Sequence, residues 1–257
     1  MMKLLQVLAT SLLLAADVLV SARPAPSPLD ILRRAPNPGV VYTQCARPGT
    51  LALAFDDGPY TYTQKLVDTL NAAGGKATFF FTGTLYGCIY NQASAVRNAY
   101  NSGHQISSHT WSHANLGNLQ SSAITQEMQK LEQAFVNIFG RKPAYMRPPY
   151  LATGGQTLNT MRTLGYKVIT NDIDSGDWNR ETPQQSQAKF QRAGAGGNGH
   201  IPLMHETYES TVNVLVPWLI NWARQNNLKL VTVADCLGDA GGAYQSGTFP
   251  GNGQNKC

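Results

Sequence analysis

Two aspartates stand side by side in residues 53–59, LAFDDGP. The run 50–55 is small and apolar and reads as a buried strand, which Gly58-Pro59 ends at once. Adjacent carboxylates repel, and strand packing gives no reason for them, so Asp56 and Asp57 point to chemistry. A second cluster, SSHTWSHANL, sets His109 and His113 four residues apart. At that spacing one helical turn or a tight loop aims both imidazoles the same way. Such a pair alone is weak evidence and often decorates a surface; beside a strand-end aspartate pair it gains weight. Two neutral imidazoles and one carboxylate form a recurrent Zn2+ set that leaves positions open for water and substrate. This division of labour uses both aspartates: one ligates the cation, and the other stays off it to take a proton from water.

These groups can meet only if the fold delivers them to one place. Strand-like segments are expected at 51–55, 76–82, 104–108, 144–146, 166–170, 201–204 and 228–233. Helices are expected at 63–73, 93–101, 121–139, 156–164, 183–193 and 211–225, where Pro217 starts or kinks the last one. The clearest is 121–139, in which Ile124, Met128, Leu131, Phe135 and Ile138 recur at three or four residues, with Ser121-Ser122 as caps. About seven alternating β/α units argue for a parallel, barrel-like α/β fold. In such folds the strand C-termini face the active site. Asp56-Asp57, His109, Arg147, the 172–177 stretch and His205 all follow strands, so five polar clusters should converge on one rim.

The segments LAFDDGP, SHTWSH, RPPY, DSGDW and LMH, in that order, resemble the five motifs of NodB-type polysaccharide deacetylases, carbohydrate esterase family four. The pattern is most similar to the fungal-type chitin deacetylases, including a cysteine ahead of the first strand and VADCLGD near the end. The match runs from about Cys45 to Asp239. One departure is Ala54 where the family often has threonine or serine; that side chain is not catalytic.

The resemblance implies a distorted, incomplete (β/α) barrel with about seven strands. It implies a hydrolase that removes the N-acetyl group from N-acetylglucosamine units in chitin or chitooligosaccharides and releases acetate. Asp56 corresponds to the catalytic base, and Asp57, His109 and His113 to the ligands of a Zn2+ ion. Co2+ or another divalent metal suits the same N/O donors. Arg147 matches the arginine that holds the base, and Tyr150 the residue whose backbone N–H helps bind the oxyanion. His205 corresponds to the catalytic acid and Asp177 to the carboxylate that orients it; Trp178 and Leu203 correspond to a wall and the floor of the acetyl pocket. The chemistry asks for these roles, since amide hydrolysis develops an oxyanion and its amine leaves only when protonated. Asp172 and Asp174 read as loop-stabilising, His104 and His200 as structural or surface residues, and the 86–91 loop as a border of the sugar groove. The alternatives are an acetylxylan esterase with the same machinery, or a carbohydrate-binding protein that has lost catalysis.

Composition narrows the setting. The chain has 257 residues, 42% hydrophobic and 14% charged, enough for one sizeable core. Lys3 and an apolar segment ending in Val20-Ser21-Ala22 read as a secretory signal peptide, residues 1–22. Residues 23–40 are a proline-rich linker or pro-segment holding the dibasic Arg33-Arg34, residues 41–240 the deacetylase domain, and 241–257 a glycine-rich tail. The expected location is secreted, extracellular or in the cell wall, with no membrane attachment after processing. The net charge is +5; residues 1–34 carry Lys3, Arg23, Arg33 and Arg34 against Asp17 and Asp30, so their removal leaves +3. No Lys/Arg run or basic–aromatic stripe occurs, which argues against nucleic acid as a partner. The expected partner is a polysaccharide or oligosaccharide substrate, and the expected state a monomer. Four cysteines allow three pairings. The preferred one joins Cys45 to Cys236, clamping the first strand's lead-in to the last element, and leaves Cys88–Cys257 to tie down the tail.

Overall fold

The structure, a computed structural model, describes residues 36–257. The segments read as a signal peptide and as residues 23–35 of the linker, with Arg33-Arg34, lie outside the described residues.

Eight parallel strands form one curled sheet. In spatial order they are β1 (Val41–Tyr42), β7 (Lys167–Ile169), β6 (Tyr145–Met146), β5 (Gln105–Ser108), β4 (Thr78–Phe81), β3 (Ala54–Asp56), β9 (Pro202–His205) and β8 (Ile173–Asp174). β1 and β8 end the row without pairing to each other, so the barrel is a half-barrel. The helices between strands are α1 (Thr63–Ala72), α2 (Ala93–Asn101), α3 (Ser121–Phe139), α4 (Thr157–Leu164), α5 (Pro183–Ala193) and α6 (Val216–Gln225), and the short α7 (Val233–Cys236) follows the last strand.

The central strands are buried throughout because the sheet is covered on both faces. Their two-residue alternation sorts side chains between two cores. Phe55, Phe79, Phe81 and Ile106 pack outward against Leu66, Val67 and Leu70 of α1 and Leu131 and Phe135 of α3. Ala54, Phe80, Tyr145 and Ile169 point the other way, into the barrel. Each fully buried phenylalanine contributes roughly 1.5–3 kcal/mol by leaving water. The register then fixes what stands at the rim. Asp56 lies opposite His205 on β9 and Phe80 on β4, and Ser108 opposite Met146, so His109 and Arg147 follow on neighbouring strands.

Several elements depart from the sequence expectation. The apolar run 50–55 splits into β2 (Thr50–Leu51) and β3. The last strand, expected over 228–233, shrinks to β10 (Lys229–Leu230) and pairs with β2 in a separate two-stranded sheet. From Thr232 the chain turns into α7, whose end the threonine hydroxyl caps by accepting from the Asp235 N–H. The cap of α3 is Gln120 without a side-chain bond, and Ser121 is already helical. Pro217 lies in the first turn of α6, after a wide π-type turn over Thr211–Leu215.

Cys45 bonds Cys236 and Cys88 bonds Cys257. The glycine-rich tail is therefore anchored at its end. It is also held where Tyr244 packs on Tyr100 and accepts from the Ile106 N–H, and where Asn137 reaches Asn252.

Candidate active site

Consecutive residues of a strand point to opposite faces, so Asp56 and Asp57 could not share a site in extended backbone. The chain solves this at the strand's end: Asp57 takes a left-handed conformation, φ 74°. Aspartate tolerates that region better than most residues. Of the seven non-glycine residues with positive φ among the described residues, Asp57, His113, Tyr150 and Leu151 line one cleft, and Thr110 follows His109. Backbone strain of this kind is kept where surrounding structure over-determines it.

The cleft, about 400 Å3, opens at the C-terminal end of the sheet. Asp56, Asp57, His109, His113, Tyr150, Trp178, Leu203 and His205 line it, together with Pro148, Leu151 and Asp174. Arg147 and Asp177 stand behind the lining and each grips one lining residue.

The first grip is on Asp56. Arg147, fully buried, donates from Nη1 to Asp56 Oδ1 at 2.9 Å, and from Nη2 to the carbonyls of Thr170 and Pro202. Its guanidinium lies over the Phe80 ring, 4.7 Å from the centroid. Asp56 Oδ2 is left on the cleft side, 3.9 Å from His109 Nε2.

The second cluster is Asp57, His109 and His113, whose candidate ligand atoms all lie within 4.8 Å of one another. Asp57 Oδ1 is 3.5 Å from His109 Nε2 and 3.2 Å from His113 Nε2. The other nitrogen of His109, Nδ1, is 2.6 Å from the Arg147 carbonyl, which can only accept. The ring is thus the Nδ1–H tautomer, with its Nε2 lone pair aimed at Asp57. Asp57 Oδ1 is then a buried acceptor with no hydrogen-bond donor. Two imidazoles, one ionised carboxylate and an orphaned buried oxygen fit a divalent cation with N/O preference.

The third cluster stands across the cleft. Asp177 Oδ1 accepts from His205 Nδ1 and from the Trp178 N–H, both at 2.8 Å. Its Oδ2 accepts from the His205 N–H and from Thr211 Oγ1, both at 2.8 Å. Burial lowers the His205 imidazole, but the Asp177 carboxylate, with Asp56 and Asp57 behind it, pushes it up to about 9. Its Nε2 faces Asp57 Oδ2 at 4.0 Å.

Tyr150 and Trp178 are the exposed walls, 68% and 53% accessible, and Leu203 is the buried floor. Asp174 stabilises its loop by accepting from the Gly176 N–H, and also accepts from Trp178 Nε1 at 3.2 Å, steadying the indole. Asp172 holds His200 and the Ile201 N–H, away from the cleft. His104 and His200 are both buried, so neither is a surface residue. The 86–91 loop does not line the cleft; its Tyr86 packs on Tyr60, 5.0 Å between ring centroids.

One residue escaped the sequence reading. Glu206, fully buried, accepts from Thr63 Oγ1 at the back of the Asp57-Gly58 turn. Burial pushes its carboxyl up to about 8. A lone glutamate after a strand has no spacing signal to mark it.

Comparison with known proteins adds four findings. A family model described as polysaccharide deacetylase matches residues 43–169. The chain is 45% identical over 212 residues to a chitin deacetylase of Pestalotiopsis sp, covering 81% of this chain and 71% of that one. It is 42% identical over 204 residues to a probable peptidoglycan-N-acetylglucosamine deacetylase of Arthroderma benhamiae, covering 78% of this chain and only 47% of that relative. Among solved structures, the chitin deacetylase of the fungal pathogen Colletotrichum lindemuthianum matches with TM-score 0.77 at 35% identity. That match covers 81% of this chain and 96% of the other.

Proposed function

The chain belongs to the polysaccharide deacetylase family, and from that premise we propose that it is a secreted, zinc-dependent deacetylase of N-acetylglucosamine units in chitin or chitooligosaccharides. It is a hydrolase of N-acetyl amide bonds acting on a chitin-like polysaccharide. The observation that carries the finer reading is the Asp57–His109–His113 cluster, with Asp56 beside it and His205 facing it across the cleft.

Asp57, His109 and His113 would hold the cation, which when bound supplies Lewis acidity to the acetyl carbonyl and to the attacking water. Asp56 takes a proton from that water at Oδ2, the oxygen that Arg147 leaves free. Arg147 fixes the carboxylate's direction and keeps a buried negative charge paired. The acetyl methyl group packs over Leu203 and beside Trp178, apolar parts of the cleft lining. The Tyr150 backbone N–H donates to the oxyanion as it forms. His205 then gives the Nε2 proton to the departing nitrogen; Asp177 holds its Nδ1–H and favours the charged imidazole. Acetate and a free amine result. Two disulfides suit an oxidising compartment, and no helix among the described residues is long and apolar enough to cross a membrane. The reading needs no residue from a second copy, which fits a monomer as the working unit.

The test is acetate release from chitooligosaccharides and from acetylated xylan, with and without His205→Ala. The reading requires zinc-dependent release from the chitooligosaccharide and its collapse in the variant. An ester has the better leaving group, so release from xylan with little dependence on His205 would instead favour an O-acetyl esterase. Sugar binding without any release would overturn the enzymatic reading.

A further inference from the structure

The turn that presents Asp57 is clamped from two sides. On one side Thr82 donates from its N–H to the Gly58 carbonyl at 2.7 Å, and from Oγ1 to the Asp57 and Gly58 carbonyls. On the other side stands Glu206, the residue after His205. A Cβ placed on Gly58 would meet Glu206 Oε1 at 2.2 Å and Phe81 Cε1 at 2.9 Å, so the carboxyl lies flat against the turn. Glu206 Oε1 accepts from Thr63 Oγ1, and the same hydroxyl accepts from the Tyr60 N–H at 2.8 Å. A continuous line of contacts thus runs from the end of β9, through Glu206 and Thr63, to the backbone just past Pro59. Glu206 and Thr63 are both fully buried, and Glu206 Oε2 has no hydrogen-bond partner.

A buried acid with an unmet oxygen costs stability. Leucine would fill the space without that cost, and the catalytic chemistry above does not use Glu206. Its position explains it. The turn carries Asp56 on one residue and Asp57 on the next in a left-handed conformation that ordinary packing does not favour. Glu206 directly follows His205, the last residue of β9.

We propose that Glu206 is a positioning residue, which with Thr63 locks the Asp56–Asp57 turn against the end of β9 and so sets the spacing between the metal-binding carboxylate, the base and the acid. It acts through Gly58 and Thr63 and touches no reacting atom. The inference rests on the metal-dependent reading above. Mispositioning by about 1 Å can cost on the order of a hundredfold in rate, and loss of groups that support ligands typically costs about 10–100-fold in metal affinity or activity.

The test uses the full chain, freed of metal by chelation, and three variants: Glu206→Gln, Glu206→Leu and Thr63→Val. Zinc affinity is read by competition with a chromophoric chelator, and acetate release as kcat and KM separately. Thermal unfolding checks that each variant is folded at the assay temperature. Glutamine keeps the acceptor for Thr63, so Glu206→Gln should stay within about threefold of the parent in both readouts. Leucine and valine remove the link while keeping volume, so both should weaken zinc binding and lower kcat by about tenfold or more, with KM little changed. Folded Glu206→Leu and Thr63→Val proteins with parental zinc affinity and kcat would overturn the proposal, as would a Glu206→Gln protein as impaired as Glu206→Leu. A parent that neither binds zinc nor releases acetate would instead sink the functional reading, so the two failures are distinct.

Discussion

Replacing Asp177 by asparagine tests the acid side of the cleft. Both carboxylate oxygens of Asp177 face only donors: His205 Nδ1 and the Trp178 N–H on one, the His205 N–H and Thr211 Oγ1 on the other. An asparagine must turn its NH2 group toward one pair, which leaves a buried donor facing donors. That costs about 1–3 kcal/mol of stability. The larger effect is on His205. Burial lowers its imidazole, and Asp177 is the main group pushing it up to about 9. Without that charge the group returns to its ordinary value near 6.5 or below it. His205 must be protonated to act as acid, so activity is lost as pH rises through its folded pKa. At about pH 8 the protonated fraction falls from roughly nine-tenths to about one in thirty, a loss of about 30-fold that largely recovers near pH 6. A cation beside Asp57 offsets part of the Asp56 and Asp57 contribution, so the parent's alkaline limb lies somewhat below 9, but the downward shift in the variant remains. The assay is kcat/KM for acetate release across about pH 5 to 10. A folded Asp177→Asn protein whose profile overlays the parent's would refute this assignment of the acid.

Acid should weaken the fold through His104. Burial, helped by Lys76, lowers this imidazole to about 4, and its Nδ1 must stay unprotonated to accept from the Ala77 N–H. The unfolded chain therefore binds the extra proton first, and stability is lost as pH falls from about 6.5 to 4, by up to about 3 kcal/mol. Urea unfolding at stepped pH would show this, and His104→Gln should flatten the slope. Opening Cys45–Cys236 by a double serine substitution should cost about 3–5 kcal/mol, since it closes a loop of 191 residues; a thermal midpoint within 2 °C of the parent's would contradict it. Trp178→Ala should raise KM several-fold, while its exposure keeps the stability change within about 0.5 kcal/mol. Steady-state kinetics paired with thermal unfolding separate the two effects.

The site was more legible than the sheet that carries it. Asp56, Asp57, His109 and His113 are readable because their types and spacing are costly without a metal-centred reason, and because the aspartate pair ends an apolar run. β1 and β8 were not readable, being two residues long with no alternation to detect. The final apolar segment looked like a barrel strand, but only Lys229–Leu230 pairs, and Thr232 caps a helix where the strand should continue. The left-handed turns at Asp57, His113 and Tyr150 also left no trace in composition. The sequence therefore marks the candidate groups but not the backbone device that lets neighbouring aspartates face one cleft. Glu206 is hidden for a related reason, since its hydrogen-bond partner Thr63 lies 143 positions away in the chain.

The central claim is a division of labour between two adjacent carboxylates, and the most direct measurement is zinc binding and turnover in Asp56→Asn beside Asp57→Asn. The account predicts that Asp56→Asn still binds one zinc ion but loses acetate release by a factor of at least about a hundred. It predicts that Asp57→Asn loses the ion itself. An Asp56→Asn protein with undiminished turnover, or an Asp57→Asn protein that holds zinc as tightly as the parent, would contradict it.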